Sequence, residues 1–255
     1  MPLRLVLASA SPARRKSLQA AGIEPDVLVS GVDESVVVTD RAEDLCLELA
    51  RLKAQAVLTR LSPSTPPTSP SPGTDPGLSA SPDPGLSAGP VTSTSTSTST
   101  STNQRTLVIG CDSVLAFDGE ILGKPADPAD ATRRWQRMRG RSGVLHSGHC
   151  LIDMAAGRRA EAVASTTVHF ADISDDEIAA YVASGEPLAV AGAFTIDGLG
   201  GPFVERIEGD PGTVVGLSMP LLRRLLAELG LQITDLWTKV APGGQSVEPL
   251  GNVRS

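Results

Sequence analysis

Short apolar runs alternate with stretches of helical periodicity along most of the chain. Residues 3–9 read LRLVLAS, a run typical of a buried strand, and Pro12 follows at a position where proline favours the start of a helix. The pattern predicts a helix over 13–21 that ends before Gly22, and another over 42–58, where leucines recur at helical spacing. The first part of the chain therefore reads as a buried strand followed by amphipathic helices.

The remainder of the chain reads as further strands and helices. The apolar run 106–109 is predicted to be a strand that ends at Gly110–Cys111–Asp112, which would place Asp112 at a strand end facing a cleft. Other predicted strands are 27–30, 114–117, 121–122, 143–154, 161–170 and 203–207, and other predicted helices are 130–138, 174–184 and 217–229. Strands that alternate with helices predict an α/β fold, a mixed twisted sheet with flanking helices that form two lobes around a cleft.

Residues 61–104 differ in composition from the rest of the chain. They consist almost entirely of Ser, Thr, Pro and Gly, with DPGLSA occurring twice before an alternating Ser-Thr tract. Such a segment buries too little apolar surface to offset its ordering entropy, so we expect a disordered insertion. The expected organisation is one domain over 1–235, interrupted by this insertion, with a loose tail over 236–255. A tolerated surface expansion is the favoured interpretation of the insertion, and a phosphorylation tract is the alternative.

The charge balance narrows the class of partner. The chain has 22 Lys and Arg against 29 Asp and Glu, a net charge of -7. Contacts to a nucleic-acid backbone need clustered cations, so the composition argues against a nucleic-acid partner but allows a small anion held by a few local cations. Three cysteines without CxxC spacing argue against a disulfide framework and a zinc site. No apolar run approaches the roughly 18 residues of a membrane helix, so we expect a soluble cytoplasmic protein.

The first candidate site is the segment LASASPARR. A strand delivers Ser9 and Ser11 into a turn, and the expected helix then begins at Pro12. The free N–H groups of a helix start, two hydroxyls and the cations Arg14 and Arg15 would together form a phosphate cradle. Taken alone, the segment is better explained as helix capping with solvated arginines. No GxxxxGK[ST] motif occurs in the chain, so the segment is not a P-loop.

Two later segments carry the residues expected to perform chemistry. Asp112 in VIGCDSV could position a metal ion or deprotonate a water molecule, and Lys124 in GEILGKP follows twelve residues later across a short hairpin. A lysine in this place could stabilise phosphate charge. The alternatives are a capping aspartate and an exposed loop lysine.

Three further residues complete the candidate set. Glu34 in GVDES, with its neighbour Asp33, is a candidate metal carboxylate, and Lys53 lies on a predicted helix from which it could reach a cleft. Asp197 stands in a glycine-rich stretch and could accept hydrogen bonds from a base edge. Each of these residues also has an ordinary explanation as a surface charge or a turn residue.

The order of these segments resembles one known family. The segments are LASASPARR, GVDES, LARLKAQA, GCDSVL, GEILGKP, MRGRSGVLHSG, SGEPLAVAGAFTIDG and FVERIEGDPGTVVGLSMPLL. Together they resemble the Maf family of nucleotide pyrophosphatases, also called Maf/Ham1-like or septum-formation inhibitor proteins. The resemblance covers 3–230 outside the insertion, and eight ordered motifs make a chance match untenable.

The resemblance implies an α/β fold of the Maf/Ham1-like, ITPase-like kind and metal-dependent hydrolysis of nucleoside triphosphates to the monophosphate and pyrophosphate. Members of the family are often homodimers. By position, Asp112 matches the catalytic acidic residue of the family. The other matched positions that handle phosphate and metal are Ser9, Arg14, Glu34, Lys53 and Lys124. Mg²⁺ or Mn²⁺ is the implied cofactor, with Asp112 and Glu34 as its protein ligands.

The chain departs from the family pattern at three places, of which GCDS in place of GADT keeps the aspartate and a hydroxyl at Ser113. Ala13 stands where the family often has the first arginine after the proline, so one phosphate contact is either lost or supplied by Arg15. Asp197 stands where one branch of the family, acting on dTTP and UTP, carries Gln and another, acting on 7-methyl-GTP, carries Glu; the preferred base therefore stays open. The alternative function is a non-catalytic, nucleotide-binding regulator of cell division with the same cleft.

Overall fold

The computed structural model describes residues 3–62 and 105–238. The predicted insertion lies outside the described residues except for Leu61 and Ser62, and the predicted tail lies outside them from residue 239 onward. Leu61 is the last residue of a long helix rather than the first residue of the insertion. In the described ranges, no helix combines the length and the apolar character needed to cross a membrane.

The described chain forms seven strands and six α-helices. The strands are β1 Leu3–Leu7, β2 Asp26–Val27, β3 Arg105–Phe117, β4 Glu120–Leu122, β5 Ser142–Asp153, β6 Arg158–Phe170 and β7 Val204–Glu208. The helices are α1 Pro12–Ala20, α2 Ala42–Leu61, α3 Pro128–Met138, α4 Asp175–Ala183, α5 Pro211–Val215 and α6 Met219–Glu228. Short 3₁₀ turns lie at Glu34–Val36, Glu186–Ala189, Ala191–Ala193, Gly201–Phe203 and Ile233–Leu236.

The strands form one mixed sheet in the order β2-β1-β3-β5-β6-β7, with β4 paired to β3. β1 runs parallel to both β2 and β3, whereas β3, β5, β6 and β7 are successively antiparallel. The predicted α/β class with a mixed sheet and flanking helices is confirmed. The predicted strand 27–30 is shorter than expected, because only Asp26 and Val27 pair with β1.

β3 does not end where the sequence pattern suggested. It continues without a break through Gly110, Cys111 and Asp112, so the prediction of Asp112 at a strand end is wrong. Gly110 is required by packing, since a Cβ there would overlap the carbonyl oxygen of Ala50 on α2. The glycine therefore marks the close approach of α2 to the sheet, not the end of a strand.

One edge of β3 is nevertheless open in its middle. β1 pairs with β3 only as far as Ile109, and β4 pairs with it only from Leu115 onward. Among the described residues, no strand covers the edge between these two partners. Because side chains alternate between the two faces of a strand, Asp112 and Ser113 project to opposite faces beside this gap.

Two large apolar clusters lie toward opposite ends of the long strands. Leu18 of α1 and Leu222 of α6 belong to the first, together with Leu107 near the start of β3. Trp135 of α3 belongs to the second, together with Phe117 at the end of β3. These clusters correspond to the two predicted lobes, and the uncovered edge of β3 lies between them.

Candidate active site

A cavity of about 720 Å³ opens at the uncovered edge of β3, a volume suited to a small ligand. Its wall is built from the turn after β1, the segment after β2, one face of α2, the middle of β3 and the loops that follow β4 and α4. The predicted site residues that line it are Ser9, Arg14, Glu34, Lys53, Asp112, Lys124 and Asp197. Residues from both halves of the sequence therefore converge on one cavity.

Ser9 and α1 form the first wall of the cavity. Ser11 caps the helix, its hydroxyl accepting a hydrogen bond from Arg14 N at 3.4 Å, and Pro12 occupies the first turn. Ser9 Oγ accepts a hydrogen bond from Ser11 N at 3.2 Å, which folds the turn back over the end of β1. The predicted helix start therefore points its N-terminus at the cavity, where it favours an anion.

Arg14 is buried and makes three hydrogen bonds within the protein. Its Nε donates to Gly216 O at 2.8 Å, its Nη1 to Ser9 Oγ at 3.0 Å and its Nη2 to Ser113 Oγ at 3.0 Å. The guanidinium therefore links the turn after β1, the middle of β3 and the end of α5. Its orientation is fixed before any ligand arrives, which lowers the entropic cost of using the remaining N–H groups on phosphate.

A buried polar network supports this arginine from behind. Ser113 Oγ and Ser147 Oγ lie 2.7 Å apart, and Ser147 Oγ donates to Thr213 O at 2.8 Å. His149 lies two residues after Ser147 on β5. Its Nε2 accepts a hydrogen bond from Ser218 N at 2.9 Å, so its Nδ1 carries the proton and donates to Ser147 O. None of these partners was predicted, because the register of β3 with β5 and the packing of residues 213–218 against β5 bring them together.

The stability of the protein should depend on the neutral state of His149. Burial lowers its pKa from 6.5 to about 4. A depressed folded-state pKa contributes stability that is present above the unfolded value and is lost as the pH falls toward the folded value. Through this residue the wild-type protein should lose on the order of 3 kcal/mol of unfolding free energy between pH 6.5 and 4. We expect His149→Gln not to show this loss.

Urea titrations at several pH values would measure this difference. The matched control is His169→Gln, because His169 lies partly exposed on β6, beside Glu208 and Arg206. An acid-induced loss of stability that is the same in wild type and His149→Gln would contradict the assigned role of His149.

Lys53 and two carboxylates form the second wall. Lys53 Nζ lies 2.5 Å from Asp112 Oδ1 and 2.7 Å from Glu34 Oε1, so the two carboxylates converge on one point. The side chains of Lys53 and Asp112 are each 10% exposed, whereas that of Glu34 is 53% exposed. Asp33 is occupied elsewhere, since its carboxylate caps a 3₁₀ turn by accepting from Ser35.

The two carboxylates differ in their protonation behaviour. Burial raises the pKa of Asp112 above its ordinary value, and the charges of Lys53 and Arg14 offset this effect only in part. Desolvation also opposes ionisation of Glu34, but Lys53, Lys124 and Arg14 together lower the pKa of this more exposed group. A carboxylate with a raised pKa beside one held ionised is an arrangement suited to proton acceptance.

Lys124 and Asp197 line the far side of the cavity. Both side chains are exposed, and no ion pair joins Lys124 to Asp112 in the described ranges. Lys124 is nevertheless near enough to Glu34 to lower its pKa. The backbone beside Lys124 is anchored, because Gly192 N donates to Gly123 O at 3.0 Å, which ties this loop to the segment that leads to Asp197.

Arg15 does not line the cavity. Its Nη2 donates to Glu24 Oε1 at 3.2 Å on the protein surface. Successive residues of an α-helix point about 100° apart, so a helix that turns Arg14 toward the cavity turns Arg15 away from it. The expectation that Arg15 replaces the contact missing at Ala13 therefore has no support in this geometry.

The residues present suit a hard divalent cation only with help from the substrate. Within residues 3–62 and 105–238, no group of three or more His, Cys, Asp or Glu side chains could hold a metal ion. Glu34 and Asp112 supply two carboxylates, and Mg²⁺ characteristically takes one or two of these together with water and substrate phosphate oxygens.

The three cysteines Cys46, Cys111 and Cys150 are buried and free.

Known proteins resemble this chain over nearly its whole length. A protein from Salinispora tropica called nucleoside triphosphate pyrophosphatase is 70% identical over 98% of this chain and 92% of its own length. Proteins of the same name from Streptomyces coelicolor and Thermosynechococcus vestitus are 50% and 46% identical, each over 92% of this chain and over 94% and 98% of their own lengths. The profile of the Maf-like protein family matches residues 4–229, and the chain therefore belongs to this family.

Proposed function

We propose that this protein is a nucleoside triphosphate pyrophosphatase, which hydrolyses its substrate to the nucleoside monophosphate and pyrophosphate. The observation that carries the proposal is the convergence of Lys53, Asp112 and Glu34 beside the fixed guanidinium of Arg14 in one cavity. The names of the relatives, 46–70% identical over almost the whole chain, support the same activity.

The cationic end of the cavity suits the triphosphate. Ser9 and the N-terminus of α1 offer hydrogen-bond donors, while Arg14, Lys53 and Lys124 offer positive charge. Charge develops on the pyrophosphate as it leaves, and the lysines can neutralise it without a large rearrangement. The triphosphate would therefore lie along α1 and β3, with its α-phosphorus near Asp112.

Asp112 would serve as the proton acceptor. A water molecule attacks the α-phosphorus, its proton passes to a carboxylate oxygen of Asp112, and the bond to the bridging oxygen of the β-phosphate breaks. The oxygen of the water stays on the monophosphate, and the bridging oxygen leaves with the pyrophosphate. The raised pKa of Asp112 makes the carboxylate a better base than an exposed aspartate.

Glu34 and Asp112 would hold the divalent cation, Mg²⁺ or Mn²⁺. Their carboxylates both contact the ammonium of Lys53, so two hard oxygen ligands lie close together on the cavity wall, which fits a cation that also takes substrate phosphate oxygens. When bound, such a cation supplies positive charge to the phosphate oxygens. The homodimer implied by the family resemblance and the cytoplasmic location expected from the sequence stay predictions.

A hydrolysis panel tests the proposal. Purified protein with Mg²⁺ or Mn²⁺ would be given the standard ribo- and deoxynucleoside triphosphates and methylated ones, and both products would be quantified. Equal amounts of monophosphate and pyrophosphate are the expected result. Binding of nucleotide without release of pyrophosphate from any member of the panel would overturn the proposal in favour of the nucleotide-binding regulator.

A further inference from the structure

Glu186 does not line the cavity, but its hydrogen bonds fix a loop that forms one wall of the cavity. It follows α4, at the start of the 3₁₀ turn Glu186–Ala189. Its Oε1 accepts hydrogen bonds from Thr195 Oγ1, from Gly200 N at 3.0 Å and from Tyr181 Oη at 3.2 Å. Its Oε2 accepts from Leu199 N at 3.0 Å. One carboxylate therefore closes the loop 194–200 into a compact turn around itself.

The glycines of this loop are needed because the turn is so close to the carboxylate. A Cβ on Gly198 would overlap the carboxylate of Glu186, and a Cβ on Gly200 would overlap the hydroxyl of Tyr181. Desolvation opposes ionisation of Glu186, but the hydrogen bonds from Thr195, Leu199 and Gly200 lower its pKa. The loop is thus shaped to receive an ionised side chain at this point.

The segments that Glu186 joins form one end of the cavity. Residues 189–191 and 194–197 line it, and Asp197 is the only charged residue among them. Two of the cationic groups proposed for the triphosphate, Arg14 of α1 and Lys53 of α2, lie on the other walls, and Lys124 comes from the loop after β4. The segments 189–191 and 194–197 themselves contribute no cation and one carboxylate, so they suit the nucleoside better than the triphosphate.

We propose that Glu186 is a positioning residue for nucleoside recognition, fixing the loop 194–200 so that Asp197 and Ile196 meet the base at a set distance. The inference rests on the proposed function for the identity of the ligand. It predicts that damage to this carboxylate weakens binding of the nucleoside part and alters the discrimination between bases, while the phosphate end and the chemical step are retained.

The test uses Glu186→Gln and Thr195→Val, with Thr195→Ser as the conservative variant. An amide at 186 turns an NH₂ group toward backbone N–H donors, and valine at 195 removes the hydroxyl while keeping the shape. We expect each to raise KM for the best substrate about tenfold with kcat changed less than about twofold, which is the scale of one lost hydrogen bond to a charged group. The ratio of kcat/KM between substrates that differ only in the base should also change. Thr195→Ser keeps the hydroxyl, so its KM and this ratio should stay at the wild-type values.

Inorganic triphosphate separates the two ends of the cavity. In an Asp112→Asn background, which suppresses turnover, calorimetry would give dissociation constants for nucleoside triphosphate and for inorganic triphosphate. Only the first should weaken in Glu186→Gln. The matched control is Glu177→Gln, because Glu177 is also a multiply hydrogen-bonded carboxylate of the same helix region but caps α4 away from the cavity.

The outcomes are distinct. If Glu186→Gln behaves like Glu177→Gln, or weakens both ligands equally, Glu186 has a general structural role and the inference fails. If wild type releases no pyrophosphate from any triphosphate, the proposed function fails instead. The two dissociation constants then still decide whether Glu186 positions a nucleoside site.

Discussion

Replacing Asp112 with asparagine is expected to lower turnover by at least about a hundredfold, the scale of losing a general base. The carboxylate lies in the middle of β3, is nine-tenths buried, and faces the cavity beside Lys53. Asparagine has nearly the same shape and keeps an oxygen that accepts a hydrogen bond from Lys53, but it cannot accept the proton of the attacking water. Glu34 also still neutralises the lysine, so the fold should be retained.

The pH dependence gives a second measure of the same role. Turnover requires the ionised carboxylate, so the wild-type rate should fall as the pH drops through the raised pKa of Asp112. This acid limb should lie at a higher pH than the ordinary aspartate value, and it should vanish from the residual rate of Asp112→Asn. Initial rates of pyrophosphate release over a pH series would show both effects.

Asp153→Asn is the matched control. Asp153 is also a buried carboxylate of the same sheet, but it pairs with Arg105 near the end of β5, outside the cavity. The control should lose stability and keep its turnover, whereas Asp112→Asn should keep its fold and lose its turnover. Normal turnover in a folded Asp112→Asn protein would remove Asp112 from the mechanism.

Local patterns predicted the elements but not how the sheet is built around the site. The start of α1 was predictable, because Ser11 and Pro12 are strong local signals of a helix terminus. The continuity of β3 through Gly110 was not, because the same glycine that suggests a strand end also permits the close approach of α2. Only the tertiary packing distinguishes these two explanations.

The site itself was predictable to the extent that its residues follow the family motifs. Seven of the eight proposed residues line one cavity. Arg15 is the exception, because it follows Arg14 directly on α1 and so points away from the cavity that Arg14 faces. Of the residues that hold Arg14, Ser9 was predicted, but other supports of this arginine were not. Gly216 at the end of α5 accepts directly from Arg14, and Ser147 of β5 supports it through Ser113. Both lie far along the chain, and no local periodicity predicts the tertiary packing that brings them here.

Lys53→Met is expected to lower turnover by about a hundredfold or more, since it removes a preorganised charge from the phosphate end. Lys16→Met is the matched control, because Lys16 lies exposed on α1 and does not line the cavity. Unchanged kinetics in Lys53→Met, measured beside this control, would exclude Lys53 from the mechanism.

The same substitution should reveal what Lys53 does for the folded state. It leaves the buried Asp112 without its cation, and removing one partner of a buried ion pair costs about 3–5 kcal/mol. The pKa of Asp112 should rise further, because Lys53 is the charge that lowers it most. A raised folded-state pKa gives stability that is present at low pH and is lost as the pH rises through that pKa. The deficit relative to wild type should therefore be largest at neutral pH and shrink in acid, and the acid limb of the residual activity should move to higher pH.

The double variant Lys53→Met with Asp112→Asn separates stability from catalysis. Once the carboxylate is replaced by a neutral amide, no buried charge is left unpaired at this position, so most of the stability lost in Lys53→Met should return. Turnover should stay as low as in the single variants, because the proton acceptor and the cation are both missing. Urea unfolding at neutral pH would measure the recovery. If the double variant is no more stable than Lys53→Met, the ion pair with Asp112 is not the cause of the stability loss.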